Sequence, residues 1–298
     1  MNVNPIFNFK IMKNKGLLMG AALGLSLSLS AQELPLPSPL STLEQRVGLT
    51  DITIQYSRPS VKDREIFGGL VTYGELWRTG ANAATTIEFS TMVTFGQEEI
   101  EPGKYALLTI PDEDLWTVIL NRDTTLRGTG NYDEAKDVLR VNLAPRRREE
   151  RLESLTFDIN DLRDNSATIV LGWEYLRLYI PLEIQTEETA LRNIQEALDE
   201  APQDEKWRVH RNAASYNLNN QNYSEAMEHI NASLAMKRDN WYSYYLKARI
   251  FAATEEYGEA VDVAAMALKI GRDQAESAGQ EFQYSEMIER DIEDWAEM

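Results

Sequence analysis

The chain of 298 residues has no cysteine and only two histidines. Without cysteine there is no disulfide, no thiol nucleophile and no lipid-modified cysteine. The histidines, His210 and His229, both fall in the last third of the sequence. The first two-thirds therefore contains no Ser–His pair and no histidine-ligated zinc or iron. Positive charge is scarce: 30 Lys and Arg stand against 48 Asp and Glu, a net charge of −18. That balance repels nucleic acid and anionic membrane surfaces. Gly68-Gly69, followed by Gly74 and Gly80, lacks the spacing of a phosphate loop or a dinucleotide fingerprint. No run after residue 31 is apolar enough to span a bilayer. No cofactor and no metal site is expected.

What is present begins with an export pattern over residues 1–31. Lys10, Lys13 and Lys15 precede an apolar stretch from Gly16 to Leu29, and Ser28, Ser30 and Ala31 offer a cleavage site. Loss of those three lysines takes the mature charge from −18 to −21. An exported, bacterial, cysteine-free protein suits a periplasm, where its core must hold the fold. Residues 32–42 read as an extended Pro-rich spacer.

Two periodicities divide the rest. From residue 43 to 185 short alternating runs are separated by turn residues. Leu43–Tyr56 alternates, Thr86–Ser90 with Met92–Phe95 reads as a short hairpin, and Gly103–Ile110 follows a Pro-Gly turn. Asp114–Asn121, Val138–Leu143, Ser154–Ile159 and Ala167–Ile184 complete the set. From 186 to 298 apolar positions recur three and four apart. Within this part Trp207, Ala214, Tyr223, Ala226 and Leu234 recur 34 residues on as Trp241, Ala248, Tyr257, Ala260 and Leu268, which is the tetratricopeptide period. The expected fold class is α+β multidomain: an all-β antiparallel sandwich-like domain, then an all-α tetratricopeptide-like helical domain.

The stretch from Tyr56 to Thr85 holds the candidate site. Arg58, Lys62, Arg64 and Arg78 cluster there against Asp63, Glu65 and Glu75. Guanidinium forks fit carboxylates and phosphates. Tyr73 and Trp77 can form an apolar wall, and Asn82 can orient a ligand. In the competing reading the arginines brace a long connection by donating to loop carbonyls, and the carboxylates pair with Arg64 and Arg78. Those same carboxylates offer an acid/base pair for a hydrolase or lyase. Asp112, Glu113 and Asp114 lack the spacing of a calcium loop and read as a polar hairpin tip.

Four blocks carry a resemblance: Ser57-Arg-Pro-Ser-Val-Lys-Asp-Arg-Glu-Ile-Phe-Gly, Tyr73-Gly-Glu-Leu-Trp-Arg-Thr-Gly-Ala-Asn-Ala-Ala-Thr-Thr-Ile-Glu-Phe, Pro102-Gly-Lys-Tyr-Ala-Leu-Leu-Thr-Ile-Pro and Trp116-Thr-Val-Ile-Leu-Asn. Over roughly residues 45–185 the chain resembles the bacterial family called domain of unknown function 2911. Thr72 departs from a proline often found in that family. The resemblance implies an exported β-rich domain, often followed by helical repeats, and carries over no catalytic residue.

Together these features lead to an exported binding or scaffolding protein rather than an enzyme. Its repeats would meet a protein partner. Its β-domain would hold a small anionic or carbohydrate-like ligand at Arg58, Lys62, Arg64, Tyr73, Trp77, Arg78 and Asn82. The alternative is a carboxylate-dependent hydrolase or lyase near Arg64 and Arg78.

Overall fold

A computed structural model describes residues 35–298. The export segment expected over residues 1–31, and residues 32–34 of the spacer, lie outside the described residues. Ten strands come first: β1 (Leu40–Val47), β2 (Thr50–Ser57), β3 (Thr85–Phe89), β4 (Val93–Phe95), β5 (Glu98–Ile100), β6 (Gly103–Ile110), β7 (Trp116–Asn121), β8 (Asp137–Leu143), β9 (Arg146–Asn160) and β10 (Ser166–Ile184). Six helices follow: α1 (Thr186–Glu200), α2 (Lys206–Asn219), α3 (Tyr223–Met236), α4 (Trp241–Ala253), α5 (Tyr257–Ser277) and α6 (Ser285–Ala296). None of them is long and apolar enough to cross a membrane.

All pairings between these strands are antiparallel. They make a six-stranded sheet, β1-β2-β3-β6-β7-β8, and a four-stranded sheet, β5-β4-β10-β9. Alternation along β2 turns Ile52, Ile54 and Tyr56 inward, where they join one core with Phe89, Leu107 and Leu120 of the first sheet and Phe95, Phe157, Ile169 and Leu182 of the second. Burial of each such side chain contributes roughly 1.5–3 kcal/mol. The central strands β6 and β7 are covered on their other face too: Ala106, Leu108 and Ile119 pack with Ala84 and Leu126. That explains why Tyr105 to Leu108 reads as a continuous apolar run rather than an alternation.

Three expectations need correction. Thr86–Phe95 is not a hairpin: β3 pairs with β2 and β6, whereas β4 pairs with β10 in the other sheet, so Ser90–Met92 is a crossing between sheets. Leu43–Tyr56 is two strands, broken at Gly48 (φ 53), where a Cβ would overlap Thr186 Oγ1 and the Asp164 carbonyl. The spacer ends earlier than residue 42, because Leu40–Thr42 pair with Gln55–Ser57.

In the helical part the 34-residue recurrence is written into the backbone. Tyr223 and Tyr257 open α3 and α5, and Gln221 and Glu255 before them share a left-handed φ of 63°. Ala214, Ala226, Ala248 and Ala260 are fully buried, which lets the paired helices approach closely. The apolar stripe of α6 packs Ile288, Met287, Ile292 and Trp295 against Tyr245, Ala264 and Leu268.

Candidate ligand site

The candidate site lies in the long connection from Arg58 to Ala84 between β2 and β3. This segment plugs one end of the sandwich: Val61, Ile66, Phe67, Val71 and Trp77 are all buried. Its backbone is tied on both sides. Leu155 N donates to Pro59 O at 3.0 Å and Val61 N to Glu153 O at 2.7 Å, which fastens it to β9. Trp77 and Thr109 exchange backbone bonds of 2.7 and 2.9 Å, which fastens it to β6. Phe67, Trp77, Trp116 and Trp173 form an aromatic cluster, with Trp77 stacked on Trp173 at 5.9 Å and 18°.

Most of the expected ligand side chains have intramolecular work. Arg58 donates from Nε to Leu155 O at 3.0 Å and from Nη2 to Thr156 Oγ1 at 3.2 Å. Arg64 donates from Nε to Val61 O at 3.0 Å and from Nη2 to Ser60 O at 2.6 Å. Asn82, at φ 60, donates to Ser38 O and Ser57 Oγ, both at 3.2 Å, and so pins the chain just before β1. Trp77 Nε1 donates to Gly80 O at 3.2 Å. Lys62 is exposed, and its backbone N–H donates to Glu153 Oε1 at 2.9 Å. Tyr73 lies over Gly68, where a Cβ would sit 3.0 Å from its ring. Burial, then the carboxylates of Glu113, Asp112, Glu65 and Glu174, raise the Tyr73 phenol pKa.

Arg78 differs from all of these. Its guanidinium has no protein acceptor among the described residues, and its Nε is buried without a partner. It borders a cavity of about 220 Å³ together with Arg64, Leu70, Val71, Trp77 and Trp173. Trp173 is 2% exposed, and its Nε1 also lacks an acceptor. One small cavity is thus bordered by two residues with orphaned buried donors. Each such donor costs roughly 1–3 kcal/mol while unsatisfied.

Of the seven expected residues, Arg64, Trp77 and Arg78 border this cavity; Arg58, Lys62, Tyr73 and Asn82 do not. The expected pairing of Asp63, Glu65 and Glu75 with Arg64 and Arg78 is absent: none of these exposed carboxylates lies within 4.0 Å of a cation among the described residues. No acidic side chain borders the cavity. Asp112 accepts from Glu113 N at 2.7 Å in the β6–β7 loop, as a polar hairpin tip does. Among the described residues no three His, Asp or Glu side chains gather as a metal cluster.

Sequence reasoning missed Trp173, which reaches the site from β10, and a polar network at the far side of the sheet. There Tyr132 donates to Asp137 at 2.5 Å, while Arg140 donates to Asp137 at 2.8 Å and to Tyr132 at 2.7 Å. Burial, then the Asp137 hydrogen bond, push the Tyr132 phenol up to about 12. The network is internally satisfied and anchors the segment before β8.

No curated protein matches this sequence. Residues 38–182, the strand-built part of the chain, match the model of the family described as protein of unknown function (DUF2911).

Proposed function

We propose that the protein is an exported, non-enzymatic binding protein whose β-part holds a small anionic ligand in the cavity beside Arg78. The observation that carries this reading is the pair of acceptor-less buried donors, Arg78 Nε and Trp173 Nε1, on residues of one cavity. A carboxylate or phosphate oxygen satisfies a guanidinium by a charge-assisted bond, and Leu70, Val71 and the two indoles supply the apolar walls. At about 220 Å³ the space suits a molecule smaller than an ordinary drug-sized ligand. The lack of an acidic side chain on the cavity argues against the hydrolase or lyase alternative, which needs an acid or base within reach of the substrate. In this reading the helices are tetratricopeptide-like repeats that meet a protein partner.

The test is thermal unfolding of the mature protein in phosphate, acetate, benzoate and glucose. An anion at 100 times its Kd should stabilise the parent by about 2.7 kcal/mol. Arg78→Ala should abolish that gain while unfolding normally without ligand. Equal responses from parent and variant, or none in the parent, would overturn the ligand site. Intact-mass measurement of the native protein tests export: the N-terminus should lie near Ala31 or Gln32, and retention of Met1 to Lys15 would refute it.

A further inference from the structure

A second cavity, of about 600 Å³, opens on the face that α2, α4 and the start of α6 share. Arg211 enters it from α2, Trp241, Tyr242 and Arg249 from α4, and Tyr284 and Met287 from the last helix and the residue before it. The region from residue 186 to 298 carries 23 acidic and 11 basic side chains. In so acidic a setting an arginine has many carboxylates to choose from, yet among the described residues neither arginine of this cavity has one within 4.0 Å.

Arg211 is held in place by other means. Its guanidinium sits over Trp207 at 5.3 Å and Tyr242 at 5.7 Å. Nε and Nη2 both donate to Asn212 Oδ1, at 3.3 and 3.0 Å, which leaves Nη1. Burial is the largest influence on this group and lowers its pKa. Arg249 has no hydrogen bond to any protein acceptor among the described residues. Asp291 of α6 accepts from the hydroxyl of Tyr245, which also borders the cavity. Burial, then that bond, raise the Tyr245 phenol, so it stays a donor to Asp291. Two arginines, Arg211 held in place and Arg249 without a partner among the described residues, thus border a space walled by Trp241, Tyr242, Tyr284 and Met287.

We propose that this cavity takes a side-chain or terminal carboxylate of a partner polypeptide, together with a neighbouring apolar or aromatic side chain. Charge complementarity selects the carboxylate: the two arginines are cations without counter-ions. Stacking surfaces select the neighbour, since an aromatic or aliphatic group gains from the exposed Tyr284 and the half-buried Trp241 packed beside it. The surrounding negative charge then adds specificity, because an acidic segment that misses the two guanidiniums meets only repulsion. The proposal rests on the repeats being a protein-docking element, and it is independent of the Arg78 cavity.

The test uses the full chain and an array of hexapeptides in which Asp, Glu, Asn or Gln stands beside Phe, Tyr, Leu or Ala, each made with a free and an amidated C-terminus. The strongest binder is then titrated in solution by tryptophan fluorescence. Peptides with an acid beside Phe, Tyr or Leu should bind, and their Asn or Gln counterparts should bind at least tenfold more weakly. Arg249→Ala and Arg249→Gln should each lose at least tenfold while keeping the parent's melting temperature, and Arg78→Ala should bind as the parent does. Equal binding of acid and amide peptides, unchanged binding by both Arg249 variants, or no binding in the array would overturn the proposal. Selection of neutral or basic peptides by the same face would overturn it too, while leaving the repeats a docking role.

Discussion

The strand-built part uses arginine in one way that the helical part does not. In the first, Arg58, Arg64 and Arg177 donate hydrogen bonds to backbone carbonyls. In the second, Arg208 and Arg211 lie over Trp207, and Arg249 makes no protein hydrogen bond among the described residues. The cause is the backbone beneath them. A helix closes its own N–H to C=O bonds, so its interior carbonyls need no arginine donor. An irregular connection, or a sheet interrupted by a bulge, leaves carbonyls that must find donors elsewhere. An arginine on a long connection is therefore a brace until shown otherwise, and one on a helix surface is available until shown otherwise. Arg78 is the exception on its connection, which is why it marks the site.

The sharpest way to break this comparison is to remove the arginines one at a time. Arg177 is 8% exposed, with Nη1 donating to Glu174 O and Leu176 O at 3.2 and 2.9 Å and Nη2 to Glu150 O at 3.1 Å. It fills the place where β9 runs from Arg147 to Leu152 while β10 moves only from Leu176 to Glu174. Arg177→Ala strands three carbonyls and should cost about 3 kcal/mol or more in urea unfolding. Arg64→Ala, exposed and with two carbonyl bonds, should cost about 1 kcal/mol. Arg249→Ala should stay within about 0.5 kcal/mol of the parent, and Arg78→Ala should cost no stability, because it removes a buried donor that has no partner. A loss at Arg78 as large as that at Arg177 would make Arg78 a brace as well.

A somewhat smaller effect tests how far the two parts stand apart energetically. Ala226 and Ala260 are fully buried where paired helices meet. Tryptophan at either position should destabilise the helical part by about 1–3 kcal/mol or more through overpacking. The strand-built core shares none of these residues, so its unfolding transition should hardly move. Equal loss in both transitions would mean that the two parts unfold as one unit.

How legible each part was follows from the range of the interactions that build it. The change from period two to period 3.6 falls where β10 gives way to α1, and the 34-residue recurrence needs only local packing to be visible. Sheet membership is a long-range property: Thr86–Phe95 alternates equally well as a hairpin or as two strands in different sheets. The first half of β9, Arg146 to Arg151, has no apolar alternation at all. It is extended because β10 continues beside it, with Arg146 and Arg148 over Tyr179 and Arg147 over Tyr175. At the site, Arg58, Arg64 and Arg78 look alike in sequence, because a bond to a carbonyl leaves no mark on residue identity. Trp173 arrives from some ninety residues away, on a strand whose other residues are core.

The smallest expected effect sharpens the comparison most cleanly, because the strand-built part has no histidine. His210 of α2 and His229 of α3 face each other with Nδ1 atoms 3.0 Å apart. One ring donates and the other accepts, so at least one must be neutral. Burial, then the facing His229 and Lys206, lower the His210 pKa against an opposing pull from Glu228; burial lowers that of His229, again against Glu228. For a group whose folded pKa is depressed, stability is complete above the unfolded value of about 6.5 and is lost as pH falls through the folded one. The helical transition should therefore drop in temperature between about pH 6.5 and pH 5. The strand transition should not respond over the same interval, since that part has no histidine. His210→Gln with His229→Gln should flatten the helical response, and two-wavelength circular dichroism melts across that pH range measure both parts at once. A parallel fall in both transitions would assign the pH response to the acidic surface rather than to the histidine pair.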